Sequence, residues 1–470
     1  MTYRQNEVMG LIGVDSFESD GLFWLPEDKE NQIAGRISFD PSKGARLSLI
    51  GSFSEFNFEE ELDSRLSRGV IHGVAGKKFL TLIDCRLSSR KTESPGFARE
   101  DYRAESLFAG QALITPGELR FDRVRIKFNN LFTWTSRTLV SREYEFDNSS
   151  KKLSKATLTL EPVEAEEVSA EICSLGLIGT WKISSDPQNP GYRQDFSLSL
   201  NYSQEVDFSE IKGDISSLQD LITAMTDSVT VPTEVALWVP GNNPESRLQI
   251  NFYGQQVASG AARAPKPGDT FLDLEQIGGV PAMARWLDFT RSRRILLGLS
   301  LSSKYRQLYV ENKFFNAVSA AETLHRMEFP NEMRPADEYK NFRKMLVRFV
   351  PKNYRGWLSQ QLAYSNEPRL RQRLYELAEF SQLSTVLGCD SRAWVAAVTE
   401  TRNRMVHHDK GKASAAAPAD FHWMAESLHV MVLLCLMRFC EFKEGYIETL
   451  KQNSSVDFLG ENVREILART

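Results

Sequence analysis

Gly254-Gln255-Gln256-Val257-Ala258-Ser259-Gly260-Ala261-Ala262-Arg263-Ala264-Pro265-Lys266-Pro267-Gly268-Asp269 divides this chain into two kinds of sequence. Before it, short runs alternate between apolar and polar residues. After it, apolar residues recur with the 3.6 period of helices. The stretch itself is rich in Gly, Ala and Pro, the residues of connections.

Working back from this divide, the first half reads as β. Leu22-Phe23-Trp24-Leu25 precedes Pro26, and Ile33 to Phe39 and Arg46 to Phe53 alternate. Val70 to Val74, Phe79 to Cys85, Arg120 to Phe128 and Ala156 to Leu160 are further strand candidates. Punctuation by Gly, Pro, Ser and Asp predicts antiparallel sheets, folded as a sandwich or open barrel in one or two lobes. The polar stretch Ser88 to Arg99, with Ser94-Pro95-Gly96, reads as a long surface loop. Gly179 to Ile183, Phe196 to Tyr202, Val229 to Trp238 and Leu248 to Tyr253 continue the β pattern, interrupted by one helix over Phe208 to Met225. The acidic stretch Glu161 to Glu167 reads as a solvated connector between two β lobes.

Working forward, helices are expected over Ala282 to Arg291, Phe314 to Met327, Ala336 to Phe349, Arg369 to Phe380, Ser391 to His407 and Ala419 to Lys451. The fold class is therefore α+β: a β-rich N-terminal region followed by an all-α helical bundle. Domains are expected at 1–165 (β-rich lobe), 166–280 (second β-rich lobe with one helix) and 281–470 (α-helical).

The net charge of −5 argues against one overwhelming basic surface, though not against a local phosphate site. The five cysteines are scattered and form no C-x-x-C pair, so a structural zinc is not expected and a reducing cytosol fits. No basic segment followed by an apolar core opens the chain, so no signal peptide is read. The longest apolar run, Val430 to Met437, is too short to span a bilayer. A cytoplasmic protein without a membrane partner is expected.

Chemistry concentrates in Arg402-Asn403-Arg404-Met405-Val406-His407. His is scarce, six in the chain, and His407 and His408 lie side by side here. On a helical wheel Trp394, Val398, Thr401 and Met405 form one stripe, the face expected to be buried. Glu400, Asn403 and His407 share the opposite face, so the Asn403 amide can reach the imidazole one turn on. Arg402 lies about 100° from Asn403 and about 140° from His407 around the axis. One helix thus presents Arg402 and His407 to the two flanks of a groove. Two facing helices close it, which makes a symmetric dimer the natural way to build a site.

RNA cleavage through the ribose 2′-hydroxyl needs a base, an acid and a cation for the crowded phosphorane. Imidazole supplies the first two and the planar guanidinium fork the third. The loop Asp409 to Ala419, with Lys410 and Lys412 after His408, is suited to follow a phosphate backbone. R-x-x-x-x-H spacing alone is weak. Requiring Asn after Arg reduces chance occurrence to roughly a few per cent. The bland alternative is a helix end with His at its negative pole and Arg in a surface ion pair.

Arg402-Asn403-x-x-x-His407 resembles the signature of HEPN ribonucleases. The helix holding Val430-Met431-Val432-Leu433-Leu434-Cys435-Leu436 is similar to the long closing helix of HEPN bundles, and Phe314 to Arg326 resembles an earlier one. Gly21-Leu22-Phe23-Trp24-Leu25-Pro26, Gly35-Arg36-Ile37 and Leu47-x-Leu49-Ile50-Gly51 resemble the N-terminal β domain of ApeA-type anti-phage proteins. The resemblance implies a bacterial abortive-infection protein whose HEPN domain cuts RNA without metal or cofactor, paired through the motif helix as a homodimer or higher homo-oligomer. It puts Arg402, Asn403 and His407 in the active site and leaves His408 outside the pattern. The β region would sense a phage-derived trigger or restrain the nuclease. Many HEPN toxins pair with a nucleotidyltransferase, but no G-S-x-x-x-D signature occurs here.

Two other readings compete. One is a non-catalytic dimerising sensor or scaffold. The other makes the β region a glycosidase. Against it, Trp24, Trp134, Trp181 and Trp238 read better as core residues, and no carboxylate pair stands out.

Overall fold

In the computed structural model of the chain, residues 16–469 are described except 54–66, 93–95, 116, 118, 150, 162–164, 185, 187, 189, 190, 241–245, 257–264, 266–269 and 408–415. Most of the Gly-, Ala- and Pro-rich divide thus lies outside the described residues. The chain forms two compact units, Met1–Arg291 with Lys304–Arg306, and Ser292–Ser303 with Gln307–Thr470.

In the first unit the alternating runs become strands β1 (Phe17–Leu25), β2 (Asp28–Asp40), β3 (Gly44–Ile50), β4 (Ser67–Ala75), β5 (Lys78–Thr92) and β6 (Ala98–Ala104). These six close antiparallel in the order β1-β2-β3-β6-β5-β4. Closure leaves no unpaired edge. Every second residue points inward, and Phe23, Ile37, Leu47, Ile71 and Leu82 are all fully buried. Gly73 is needed here: a Cβ on it would stand 2.5 Å from the Phe23 ring.

Most of the stretch Ser88 to Arg99 is strand rather than loop; Glu93, Ser94 and Pro95 lie outside the described residues. β5 runs on to Thr92 and pairs with β6, with Arg86 opposite Arg103 and Thr92 opposite Ala98. Its polar residues serve as partners: Ser89 Oγ donates to Asp101 at 2.7 Å, and Arg90 lies 3.4 Å from buried Glu100. Polarity alone mimicked a loop because one face of a barrel strand meets water. Asp84 takes a left-handed conformation (φ 54) where β5 leaves one partner for another.

Before that bend β5 pairs with β7 (Ser106–Gly110). The remaining strands are β8 (Arg120–Phe128), β9 (Val140–Phe146), β10 (Leu153–Leu160), β11 (Glu166–Ser169), β12 (Cys173–Ile183), β13 (Tyr192–Asp207), β14 (Pro232–Pro240) and β15 (Arg247–Gly254). From β5 the sheet continues β7-β15-β14-β8-β13-β12-β11, while β9 and β10 form a separate hairpin. Helix α1 (Phe208–Thr226) packs on β8 and β13, with Phe208 among Phe108, Phe121 and Phe252. Helix α2 (Gly279–Arg291) packs on α1, where Trp286 Nε1 donates to the Ser217 carbonyl at 3.0 Å. Trp24 and Trp134 are core residues as expected, but Trp181 is 39% exposed near the end of β12.

The second unit is helical: α3 (Val310–Glu328), α4 (Leu370–Ser381), α5 (Ser391–His407), α6 (Phe421–Phe439) and α7 (Ser454–Arg469), with further helices between, among them Ala336–Phe349 at the expected bounds. α6 is apolar nearly all round and contacts α3, α4 and α7. The single helix expected over Ala419 to Lys451 is broken. Glu441 (φ 50) and Gly445 (φ 95) are left-handed, and Phe442 donates its N–H back to the Met437 carbonyl at 3.0 Å, which terminates α6. Arg294–Tyr305 and α7 are helices that the apolar period did not reveal.

Candidate active site

The motif helix α5 starts where expected. Asp390 Oδ1 accepts the Ala393 N–H at 2.7 Å, and no Gly or Pro interrupts the seventeen residues that follow. Trp394, Val398 and Thr401 are fully buried, and Met405, the last of that stripe, is half-buried. Trp394 also donates its indole N–H to Ser427 Oγ at 2.9 Å, which pins α5 to α6. Thr401 Oγ1 accepts the Ala416 backbone N–H at 2.9 Å. The chain therefore returns onto the motif helix at the very turn that carries Arg402.

Arg402 and Asn403 are half-buried on α5, and among the described residues their side chains make no hydrogen bond or ion pair. His407 is the last residue of the helix; its side chain, together with His408, Lys410 and Lys412, lies outside the described residues. Arg404, which the wheel did not single out, has its guanidinium carbon 5.7 Å from the centre of the Phe421 ring. Its Nη2 is buried without a hydrogen-bond partner among the described residues. Arg404 lies about 200° around the helix from Arg402, so its guanidinium faces Phe421 rather than sharing Arg402's flank.

A second Arg–His cluster lies inside the bundle, between α3 and α4. Arg373 is 1% exposed, and its Nε donates to the Pro368 carbonyl at 3.0 Å. Its Nη1 donates to His325 Nδ1 at 2.9 Å and to Asn331 Oδ1 at 2.7 Å. Because a guanidinium only donates, His325 Nδ1 accepts, and its Nε2–H donates to Glu376 Oε2 at 2.7 Å. His325 is therefore a neutral imidazole. Burial holds its pKa below the ordinary value, outweighing the bond to Glu376. Burial likewise lowers Arg373, with nearby Arg326 adding to the effect.

All five cysteines are buried thiols. Among the described residues, no helix is long and apolar enough to cross a membrane.

With these elements in place, two family models match the chain. ApeA N-terminal domain 1 matches residues 18–286, and Apea-like HEPN matches residues 315–446. The chain belongs to the ApeA family. The first match spans the barrel, the outer strands and α1. The second contains α4, α5 and α6, and with them the whole hexapeptide Arg402 to His407. The resemblance read from Gly21 to Pro26 and from Arg402 to His407 is thereby borne out at the level of family. No curated protein and no solved structure matches the chain.

Proposed function

We propose that this ApeA-family chain is an anti-phage defence protein whose HEPN unit is a metal-independent endoribonuclease. One observation carries the reading. The Apea-like HEPN match covers the helix that ends in Arg402-Asn403-x-x-x-His407, and the cation and amide of that motif engage no protein group among the described residues.

The chemistry assigns each residue a task. His407 removes the proton from a ribose 2′-hydroxyl. The 2′-oxygen attacks phosphorus, the bond to the 5′-oxygen breaks, and that oxygen takes a proton from an imidazolium. Arg402 stabilises the charge that builds on the non-bridging oxygens. Asn403, one turn before His407, fixes the ring's orientation. Because Arg402 and His407 look to different flanks of one helix, two motif helices share the work in a homodimer. His408, Lys410 and Lys412 contact the RNA backbone in this reading.

The β-rich unit is the sensor or regulator. Supporting this, it contains a cavity of about 790 Å³ lined by Phe17, Phe39, Phe252 and Tyr253 with Lys78 and Lys212, within the size range of ligand pockets. A phage-derived trigger is the expected occupant.

The test is RNA cleavage in EDTA by the whole chain, activated or over-expressed. The expected products carry 2′,3′-cyclic phosphate and 5′-hydroxyl ends. A strict Mg²⁺ requirement with 3′-hydroxyl products overturns the mechanism. No cleavage, together with full biological effect from His407→Ala, supports a non-catalytic dimerising scaffold instead. Mixing Arg402→Ala with His407→Ala subunits tests the shared site: recovered activity is expected, because one of the two composite sites is then intact.

A further inference from the structure

Three arginines line one cavity of the helical unit, and among the described residues none of them pairs with an acid. The cavity, about 690 Å³, is bounded by Tyr364, the first turns of α4 and the first turns of α5. Arg369, Arg371 and Arg392 are exposed in its lining, and among the described residues their side chains make no hydrogen bond or ion pair. The carboxylate in the lining, Glu367, is already engaged by Arg326 at 3.0 Å and Arg373 at 3.4 Å. The free charge of the cavity is therefore positive.

Two tyrosines complete it. Tyr364 is 78% exposed and Tyr375 half-buried, and among the described residues neither ring stacks on another aromatic ring. Guanidinium forks answer phosphate oxygens, and free ring faces answer a planar base. A nucleotide carries both groups; an inorganic anion would leave the rings unused. The wall is also held in place from behind. Gln372 of the lining donates to Glu376 at 3.0 Å, and Glu376 accepts from buried His325.

The cavity lies in line with the candidate cleavage site. Val395 lines it, and Arg402 follows seven residues later on the same uninterrupted helix. Seven residues fall about 20° short of two turns, so the two share a face roughly 10 Å apart. Arg392 and Asn403, eleven residues apart, share the neighbouring face about 16 Å apart by the same geometry. A strand seated in the cavity therefore runs along α5 toward the motif.

We propose that this cavity is a nucleotide subsite for single-stranded RNA, set a few nucleotides from the phosphodiester that meets Arg402. The proposal rests on the nuclease reading and deepens it by naming the form of RNA taken. In a duplex the bases are stacked and paired, and their faces are not available to Tyr364 and Tyr375.

Binding of labelled 2′-O-methyl RNA tests it. Such RNA lacks the 2′-hydroxyl nucleophile, so the unaltered full chain binds without cutting. Fluorescence anisotropy is measured with a mixed-sequence single strand and with a duplex of equal length. Arg369→Ala combined with Arg392→Ala is expected to weaken single-strand binding about tenfold or more and to flatten its salt dependence. Tyr364→Ala is expected to weaken it about fivefold or more, while Tyr364→Phe retains affinity. All these positions are exposed, so melting temperatures should stay unchanged. Single-strand affinity untouched by these substitutions overturns the subsite, as does duplex RNA bound as tightly as single strand. The nuclease reading fails separately: a chain that cuts no RNA, yet whose single-strand affinity depends on Arg369, Arg392 and Tyr364, keeps the subsite and loses the catalysis.

Discussion

The helical unit holds a buried Arg–His cluster and, at the end of α5, a second run of Arg, Asn and His whose described side chains bond differently. Around Arg373 and His325 the guanidinium finds acceptors in Pro368, His325 and Asn331, and the imidazole bonds on both sides. Around Arg402 the guanidinium and the neighbouring amide engage nothing among the described residues, and Arg404 leaves a buried nitrogen unpaired. A satisfied cluster binds its own bundle together. An unsatisfied one at a helix end has its donors in reserve. In the proposed reading, completeness of bonding rather than residue identity separates the structural cluster from the functional one.

The contrast breaks first at the motif. His407→Ala should reduce RNA cleavage by about 10²–10⁴-fold, the usual contribution of a general acid or base, and leave thermal unfolding unmoved. A melting temperature that falls along with activity would mean that His407 belongs to the bundle in the way His325 does.

Arg373→Met should do the reverse. It strands the Asn331 oxygen and the Pro368 carbonyl and leaves His325 without its donor, at a cost of roughly 3 kcal/mol or more in the stability of the helical unit. Denaturant unfolding of the full chain reads this. A loss below about 1 kcal/mol would show that the cluster's bonds are replaced by water.

The two clusters are unequally legible in the sequence, and the reason is physical. The motif is local: Arg402, Asn403 and His407 lie within two turns of one helix, and helical arithmetic places them. The buried stripe Trp394, Val398 and Thr401 was legible for the same reason. His325 and Arg373 are far apart in sequence and meet only because α3 packs on α4. The subsite arginines are similarly non-local, since Arg369 and Arg392 sit on different elements. In the β half, β8 is readable to the residue from its alternation over Arg120 to Phe128, whereas the barrel's closure through the β5–β6 pairing is not. That pairing depends on a bend at Asp84 and on polar residues that mimic a loop.

A smaller effect sharpens the comparison through pH. The unfolded chain protonates His325 near the ordinary pKa of about 6.5. Burial in the folded bundle keeps the proton off until a lower pH. Below about pH 6.5 the unfolded state therefore binds more protons, and stability falls as pH drops through the window between the two values. His325→Gln keeps a neutral side chain and should flatten that part of the stability profile. An unchanged acid limb in this variant would move its origin elsewhere in the chain.

The smallest effect lies at the seam between the two kinds of cluster. Thr401 is wholly buried yet adjacent to Arg402, and its hydroxyl accepts the Ala416 N–H while donating to the Ala397 carbonyl at 2.6 Å. Thr401→Val keeps the volume and removes the acceptor, so the Ala416 N–H is left unpaired at about 1 kcal/mol. Thr401→Ser keeps the acceptor. Hydrogen exchange at Ala416 should quicken in the valine variant and not in the serine variant, and RNA cleavage should fall with it. The chain that leaves the helix after His407 must come back at this bond. If exchange quickens and cleavage does not change, the return at Ala416 stabilises the fold without positioning the motif, and Thr401 joins Arg373 on the structural side of the comparison.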